Sequence, residues 1–333
     1  METSLVPFLA LAGAALVLGN VLMYFRMREE NRLAFLLTGT GIGLVLGYLL
    51  SKLLYIAGTL FYPFSVYGIA AMIRIEASEF SFFGGCLGYV LGLVIAARIF
   101  SVDRKTMMDR FAMPGCLMAA LFRFGTLYLS EIGLGDFQTL GLAAVEDGSM
   151  LAFFPLAVRG PYGDWWMAVS TLECLAGVGC ALYAWTKENA YAARPGELFK
   201  RTAILLCSTQ MFLELIHSLS NITYFVHSEQ LYCALYILIV TIIAARTIMK
   251  NQPEAHGWKW IVFAILWIAM NGIVQFMMDK PYGFLALLPE NAANWVYDHL
   301  AMIGYGLILI SVIGLCVNAM KTLDKAGGSL HKR

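Results

Sequence analysis

The sequence predicts an all-α fold, a polytopic integral membrane helix bundle of about nine transmembrane helices, on three observations. The first is composition: of 333 residues 60% are hydrophobic and 14% charged, and the mean hydropathy is +0.72. A soluble domain carries roughly 45–50% apolar and about 25% charged residues, because it must cover a large polar surface. Twenty-three basic and 22 acidic side chains are too few for that task, which excludes a soluble enzyme, a disordered chain and a nucleic-acid binder. The second is pattern: the apolar residues form nine long runs rich in Leu, Ala, Ile and Met. A helical span needs about 20 such residues, whereas a barrel shows alternating segments of about ten. The third is charge asymmetry. Eighteen of the basic residues fall in the segments Arg26–Arg32, Arg98–Arg110, Lys187–Arg201, Arg246–Lys259 and Lys321–Arg333. Arg74, Arg159 and Lys280 lie on the other side, and Lys52 and Arg123 lie inside runs. The positive-inside rule then places the N-terminus outside and the C-terminus in the cytoplasm, a parity that nine crossings satisfy.

The first run, about 5–25, follows Met1-Glu2-Thr3-Ser4 without a basic segment ahead of it, so it reads as a retained span rather than a cleaved signal. The second, 34–60, carries Lys52 in its middle and the spacing Gly39-x-Gly41-x-Gly43-x3-Gly47. The third, 82–100, opens with Gly84-Gly85-x2-Gly88-x3-Gly92. Stripes of this kind let helix backbones approach closely or leave room for a lipid chain, and spacing does not separate the two. In the fourth, 112–130, Arg123, Thr126, Ser130 and Glu131 recur on one helical face. The fifth, 164–186, holds Glu173. The sixth, 200–225, puts Gln210, Glu214 and His217 on one face, with Asn221 following. The runs 230–249, 259–278 and 295–320 complete the set. Pro63, Pro114, Pro161, Pro195, Pro253, Pro281 and Pro289 stand at or near run ends, as helix punctuation. Two outer segments, 61–81 and 131–163, are longer than connections require and read as partly folded caps. The seven cysteines lie scattered in apolar stretches and read as small hydrophobes, with no metal spacing.

Ionisable groups inside a bilayer are costly, so each is a site candidate. A structural alternative stands beside that reading: Arg123 with Glu214, or Lys52 with Glu173, as ion pairs that fix helix packing. His217 is equally a satisfied interior histidine or a base. Asn294, Asp298 and His299 read as the start of the last span, with Asn294 as its N-cap. Arginine donates two parallel bonds to phosphate oxygens and keeps its charge. Arg123, with Thr126 and Ser130 on the same face, therefore suits a phospholipid headgroup.

These residues resemble motifs of the bacterial prolipoprotein diacylglyceryl transferase family over about residues 5–250. Ser81-Phe82-Phe83-Gly84-Gly85-Cys86-Leu87-Gly88 is similar to the family's S-F-H-G-G-L-x-G, and Arg123-Phe124-Gly125-Thr126-Leu127-Tyr128-Leu129-Ser130-Glu131 to its R-x-G-N-F-x-N-x-E. Lys52-Leu53-Leu54-Tyr55 falls where the family has R-L-G-Y, and Trp166 to Glu173 resembles the segment ending in Q-L-Y-E. Gln210 through His217 stands where it reads R-F-x-x-E-F-x-R, and Ser228-Glu229-Gln230-Leu231 matches the start of its seventh span.

The resemblance implies transfer of a diacylglyceryl group from phosphatidylglycerol, or another anionic phospholipid, to the lipobox cysteine of a preprolipoprotein. That reaction takes place in the bacterial cytoplasmic membrane and uses no metal or dissociable cofactor. Arg123, Glu131 and His217 take the catalytic places. Lys52, Arg123, Thr126, Ser130, Gln210, Glu214, Gly84 and Gly85 take the substrate-binding ones. Residues 1–250 form the seven-span core with its two caps, and 251–333 add two spans and a short basic tail. The departures are Phe83 for the motif histidine, Gln210 for the first arginine of the sixth span, His217 for the second, Thr126 for asparagine, and no first-span tyrosine. They raise the alternative of a non-catalytic phospholipid-binding protein of the same fold.

Overall fold

The computed structural model describes residues 5–58, 80–128, 144–159, 163–216, 222–223, 226–252, 254, 256–285 and 289–330. Among these residues there are nine long helices: α1 (Leu5–Arg26), α2 (Arg32–Gly58), α3 (Phe82–Ile99), α4 (Arg104–Gly125), α5 (Val169–Tyr191), α6 (Glu197–Leu213), α7 (Ser228–Asn251), α8 (Trp258–Asp279) and α9 (Glu290–Leu330), with one short helical segment, Pro281–Leu285. Seven of them, all but α5 and α6, are long and apolar enough to cross a membrane. The all-α bundle expected from composition is the fold observed.

Three expectations about its elements are corrected. Pro114 does not end a helix but lies inside α4. A proline there cannot donate to the carbonyl four residues back, which belongs to Arg110. The Arg26 side chain of α1 supplies the missing donor, Nε to that oxygen at 3.1 Å. Next, Trp165–Met167 is not the start of the fifth helix but a strand, β3, flanked by β1 (Ala144–Val145) and β2 (Ala157–Arg159) in an antiparallel sheet of order β1-β3-β2. Two tryptophans in a row suit a half-buried pleated surface, and Trp166 is buried while Trp165 is half-buried. Finally, the sixth helix stops at Leu213 and tightens into a 3-10 turn, Glu214–Ile216. Beyond it, β4 (Ile222–Thr223) and β5 (Val226–His227) pair as a hairpin. The cap expected at 61–81 lies outside the described residues except for Phe80 and Ser81.

The chain divides into two compact units, residues 1–206 with 216–221, and residues 207–215 with 222–333. In the first, α2 runs along α3, and α4 packs against both α1 and α5. The α2–α3 contact is backbone on backbone. A Cβ at Gly84 would lie 2.6 Å from the Leu50 carbonyl oxygen, and one at Gly88 or Gly92 would strike the Gly47 or Gly43 backbone. Gly39, Gly43, Gly47, Gly84, Gly88 and Gly92 therefore form a helix-packing seam, while a Cβ at Gly41 or Gly85 would meet nothing within 4 Å. Asn20, Thr40 and Tyr89 tie α1, α2 and α3 together by hydrogen bonds, Thr40 donating to the Asn20 side chain at 2.8 Å. At the opposite end from the sheet, Asp109 of α4 accepts the backbone N–H groups of Gly196 and Phe199 at 2.6 and 2.9 Å. It caps α6 from a neighbouring helix, and Gly196 adopts φ +86°, which a side chain would disfavour. Salt bridges Arg26–Glu188 (2.6 Å) and Arg110–Glu29 (2.8 Å) close that end.

In the second unit α7, α8 and α9 pack on one another. α8 and α9 run antiparallel in a register set by Asn271 donating to Ser311 (3.1 Å) and Asn318 donating to the Trp260 carbonyl (2.9 Å). Gly304 lies against Met278, so α8 ends level with about residue 303 of α9. With 41 residues, α9 is ~60 Å long, twice the ~30 Å of a hydrocarbon core. Its first 14 residues, Glu290–Ile303, therefore continue ~20 Å past the end of α8. Asn294 is consequently not an N-cap but sits in the second turn of a helix that starts at Glu290. His299 stacks on Trp295 one turn away, ring centroids 4.7 Å apart.

Candidate functional site

The start of α3 is fixed from two sides. Ser81 caps the helix, its hydroxyl oxygen accepting the Gly84 N–H at 3.0 Å. Ser51 on α2 donates its hydroxyl to the Ser81 carbonyl at 2.5 Å, and the Ser81 N–H donates to the Ser51 carbonyl at 3.2 Å. Both serines are buried, so this bracket is sheltered from competing water. It holds the rings of Phe80 and Phe82 on either side of Ser81.

Each ring carries one of the two intramembrane cations. The Lys52 ammonium, on a fully buried side chain, sits 4.1 Å from the Phe80 ring centroid. The Arg123 guanidinium carbon sits 3.9 Å from that of Phe82. A desolvated cation on an aromatic face gains about 2 kcal/mol, less than full removal from water costs. Arg123 has a further partner in Glu173 of α5, Nε to Oε1 at 3.4 Å, with side chains 9% and 1% exposed. Arg123–Glu173 is thus an ion pair that the helical spacings did not suggest.

Around this centre the other expected residues take different places. Thr126 donates its hydroxyl to the Arg123 carbonyl at 2.6 Å and lies 2.9 Å from the Ser170 hydroxyl. Its proton is used within α4, so Ser170 is the donor of that pair. Gly84 is pressed against α2, whereas a Cβ on Gly85 would meet nothing within 4 Å. In the second unit Gln210 donates to Glu214, Nε2 to Oε2 at 2.7 Å, and both are buried. Gln230 of α7 steadies that turn by donating to the Met211 carbonyl at 2.6 Å. Ser130, Glu131 and His217 lie outside the described residues. Among the described residues no group of three or more His, Cys, Asp or Glu is placed to hold a metal ion. The groups missed from sequence are Phe80, Phe82, Ser51 and Ser170. The signal that could have found the first two was already visible, since they flank the serine of a quoted motif.

A multi-pass helical membrane protein with two buried cations, held at the mouth of a glycine-sealed helix pair, is the class that fold and site define. The sequence model of the prolipoprotein diacylglyceryl transferase family matches residues 8–312, so the chain belongs to that family, one of membrane transferases of lipoprotein biosynthesis. The match continues through α8 and most of α9. No individually curated protein and no solved structure matches the chain.

Proposed function

We propose that the protein transfers the diacylglyceryl group of phosphatidylglycerol to the thiol of a lipobox cysteine, at the outer leaflet of a bacterial cytoplasmic membrane. The N-terminus then lies outside and the C-terminus inside. The observation that carries this reading is the convergence of Lys52 and Arg123 on the single step Phe80–Ser81–Phe82. The thiolate sulfur bonds to the glyceryl carbon as that carbon's bond to the phosphate oxygen breaks. Glycerol 1-phosphate leaves, and the thiol proton passes to a base. Lys52 and Arg123 hold the phosphate and stabilise the charge that grows on it. His217 takes the proton, Glu131 acts with it in catalysis, and the lipoprotein signal peptide enters laterally. Residues 1–250 would supply this core.

A second reading, a phospholipid-binding protein without turnover, is favoured by two residues. Phe83 offers no proton acceptor, and the Gln210 amide donates to Glu214. Loss of one preorganised charge stabiliser costs about 10²–10³ in rate. The deciding experiment is complementation of a transferase-depleted bacterium together with an assay for thioether on a lipobox peptide, with Arg123→Ala as control. Rescue and product support the enzyme. Copurified anionic phospholipid that is lost in Arg123→Ala, without product, supports the binder.

A further inference from the structure

We infer that the tip of the β-sheet cap, residues 150–154, is a lipid-contacting surface that inserts among the acyl chains of the leaflet beside the candidate site. The inference is independent of whether the protein turns lipid over.

Polarity is segregated along this cap. Glu146, Asp147, Arg159 and Asp164 lie at its strand ends, and no charged residue occurs from 148 to 158. The tip between them is apolar and uncovered: Met150 is 93% exposed, Leu151 and Phe153 50%, and Phe154 54%. A soluble surface rarely clusters four such side chains. The tip is held by its own hydrogen bonds, Ala152 N–H to the Ser149 carbonyl at 3.0 Å and Ala157 N–H to the Phe153 carbonyl at 2.8 Å.

Its depth is set by α5. The Thr171 hydroxyl donates to the Pro155 carbonyl at 2.6 Å, and the Ala168 N–H donates to the Leu156 carbonyl at 2.8 Å. Thr171 is in the first turn of α5, two residues before Glu173, which pairs with Arg123. The tip therefore leaves the sheet beside the helix turn that carries Glu173 and, through it, the buried Arg123. At the start of the central strand Trp165 donates its indole N–H to Asp147 at 3.2 Å and lies beside Arg159. That is the amphipathic arrangement aromatic residues adopt at membrane interfaces. A surface apolar at its tip, polar at its base and continuous with a helix of the bundle fits lipid.

The test places the photoreactive residue benzoylphenylalanine at position 150 or 153 of the full chain, in nanodiscs of phosphatidylglycerol and phosphatidylcholine. Adducts are read by intact mass after irradiation. Position 175 on the exposed face of α5 and position 146 at the base of the cap are references. The expected result is phospholipid adducts at 150 and 153 comparable to those at 175 and about tenfold above those at 146. Position 150 carries the test if 153 misfolds, since a side chain so exposed tolerates replacement. Absence of phospholipid adducts at both tip positions while 175 is labelled would overturn the inference, as would adducts to a second protein chain.

Discussion

At the scale of single residues, Arg123 is held by an aromatic face and a carboxylate, and the two contacts make different demands. Glu173 is almost wholly buried, so removing Arg123 takes a close positive charge from a desolvated carboxylate, a loss of about 3–5 kcal/mol. Arg123→Ala is expected to lower the melting temperature in detergent sharply, and Arg123→Ala/Glu173→Ala to recover most of that loss. Bound anionic phospholipid, measured by mass spectrometry, should stay lost in both variants; its return in the double variant would remove Arg123 from the headgroup site. A second residue gives a pH signature. Asp103, at the start of α4, accepts the Thr106 hydroxyl at 2.6 Å and its N–H at 2.9 Å. These bonds hold its carboxyl below the usual carboxylate range. A pKa depressed by folding stabilises the folded state at neutral pH, and that contribution is lost as pH falls through the lowered value. The melting-temperature gap between the native chain and Asp103→Ala should therefore be open at neutral pH and close below about pH 4. Asp103→Asn should keep the cap and lose the pH dependence. Lys52 and Arg123 were legible in the sequence because charge inside an apolar run is rare. Glu173 as a partner was not, because periodicity assigns a residue to a face of its own helix and says nothing about the helix opposite.

At the scale of elements, the seam between α2 and α3 offers a matched comparison. A Cβ at Gly88 would meet the α2 backbone, which cannot move aside, whereas one at Gly85 meets nothing within 4 Å. Gly88→Ala is expected to destabilise by about 1–3 kcal/mol and Gly85→Ala to leave the melting temperature unchanged. Equal effects would show that the helices are not in register as described. The spacing Gly84-x3-Gly88-x3-Gly92 left close approach and room for a lipid chain undecided, and the structure gives it a partner stripe in Gly39, Gly43 and Gly47. The Trp165–Met167 strand was not legible, since a short apolar run next to a longer one carries no period of its own. Pro114 misled for a related reason. The compensation for a mid-helix proline comes from Arg26, 88 positions away in the chain.

At the scale of the whole molecule, seven of the nine expected spans are apolar enough to cross a membrane among the described residues, but the grouping of the helices was not legible. α7 packs with α8 and α9, and sequence spacing gave no sign of that partnership. A chain ending at Gln252 is therefore expected to fail to accumulate as monodisperse protein in membranes, because α7 would lose the two helices packed against it. Gel filtration of the solubilised truncation against the full chain is the check, and a well-behaved truncation would establish residues 1–252 as self-sufficient. The α2–α3 seam has one more consequence. Two backbones in contact leave few side-chain rotamers between them, so this pair lacks the soft coordinates along which packed helices ordinarily slide. It carries Lys52, Phe80 and Phe82 as one rigid piece and acts as a stator. Any displacement of α4 against it must therefore lift Arg123 off the Phe82 ring.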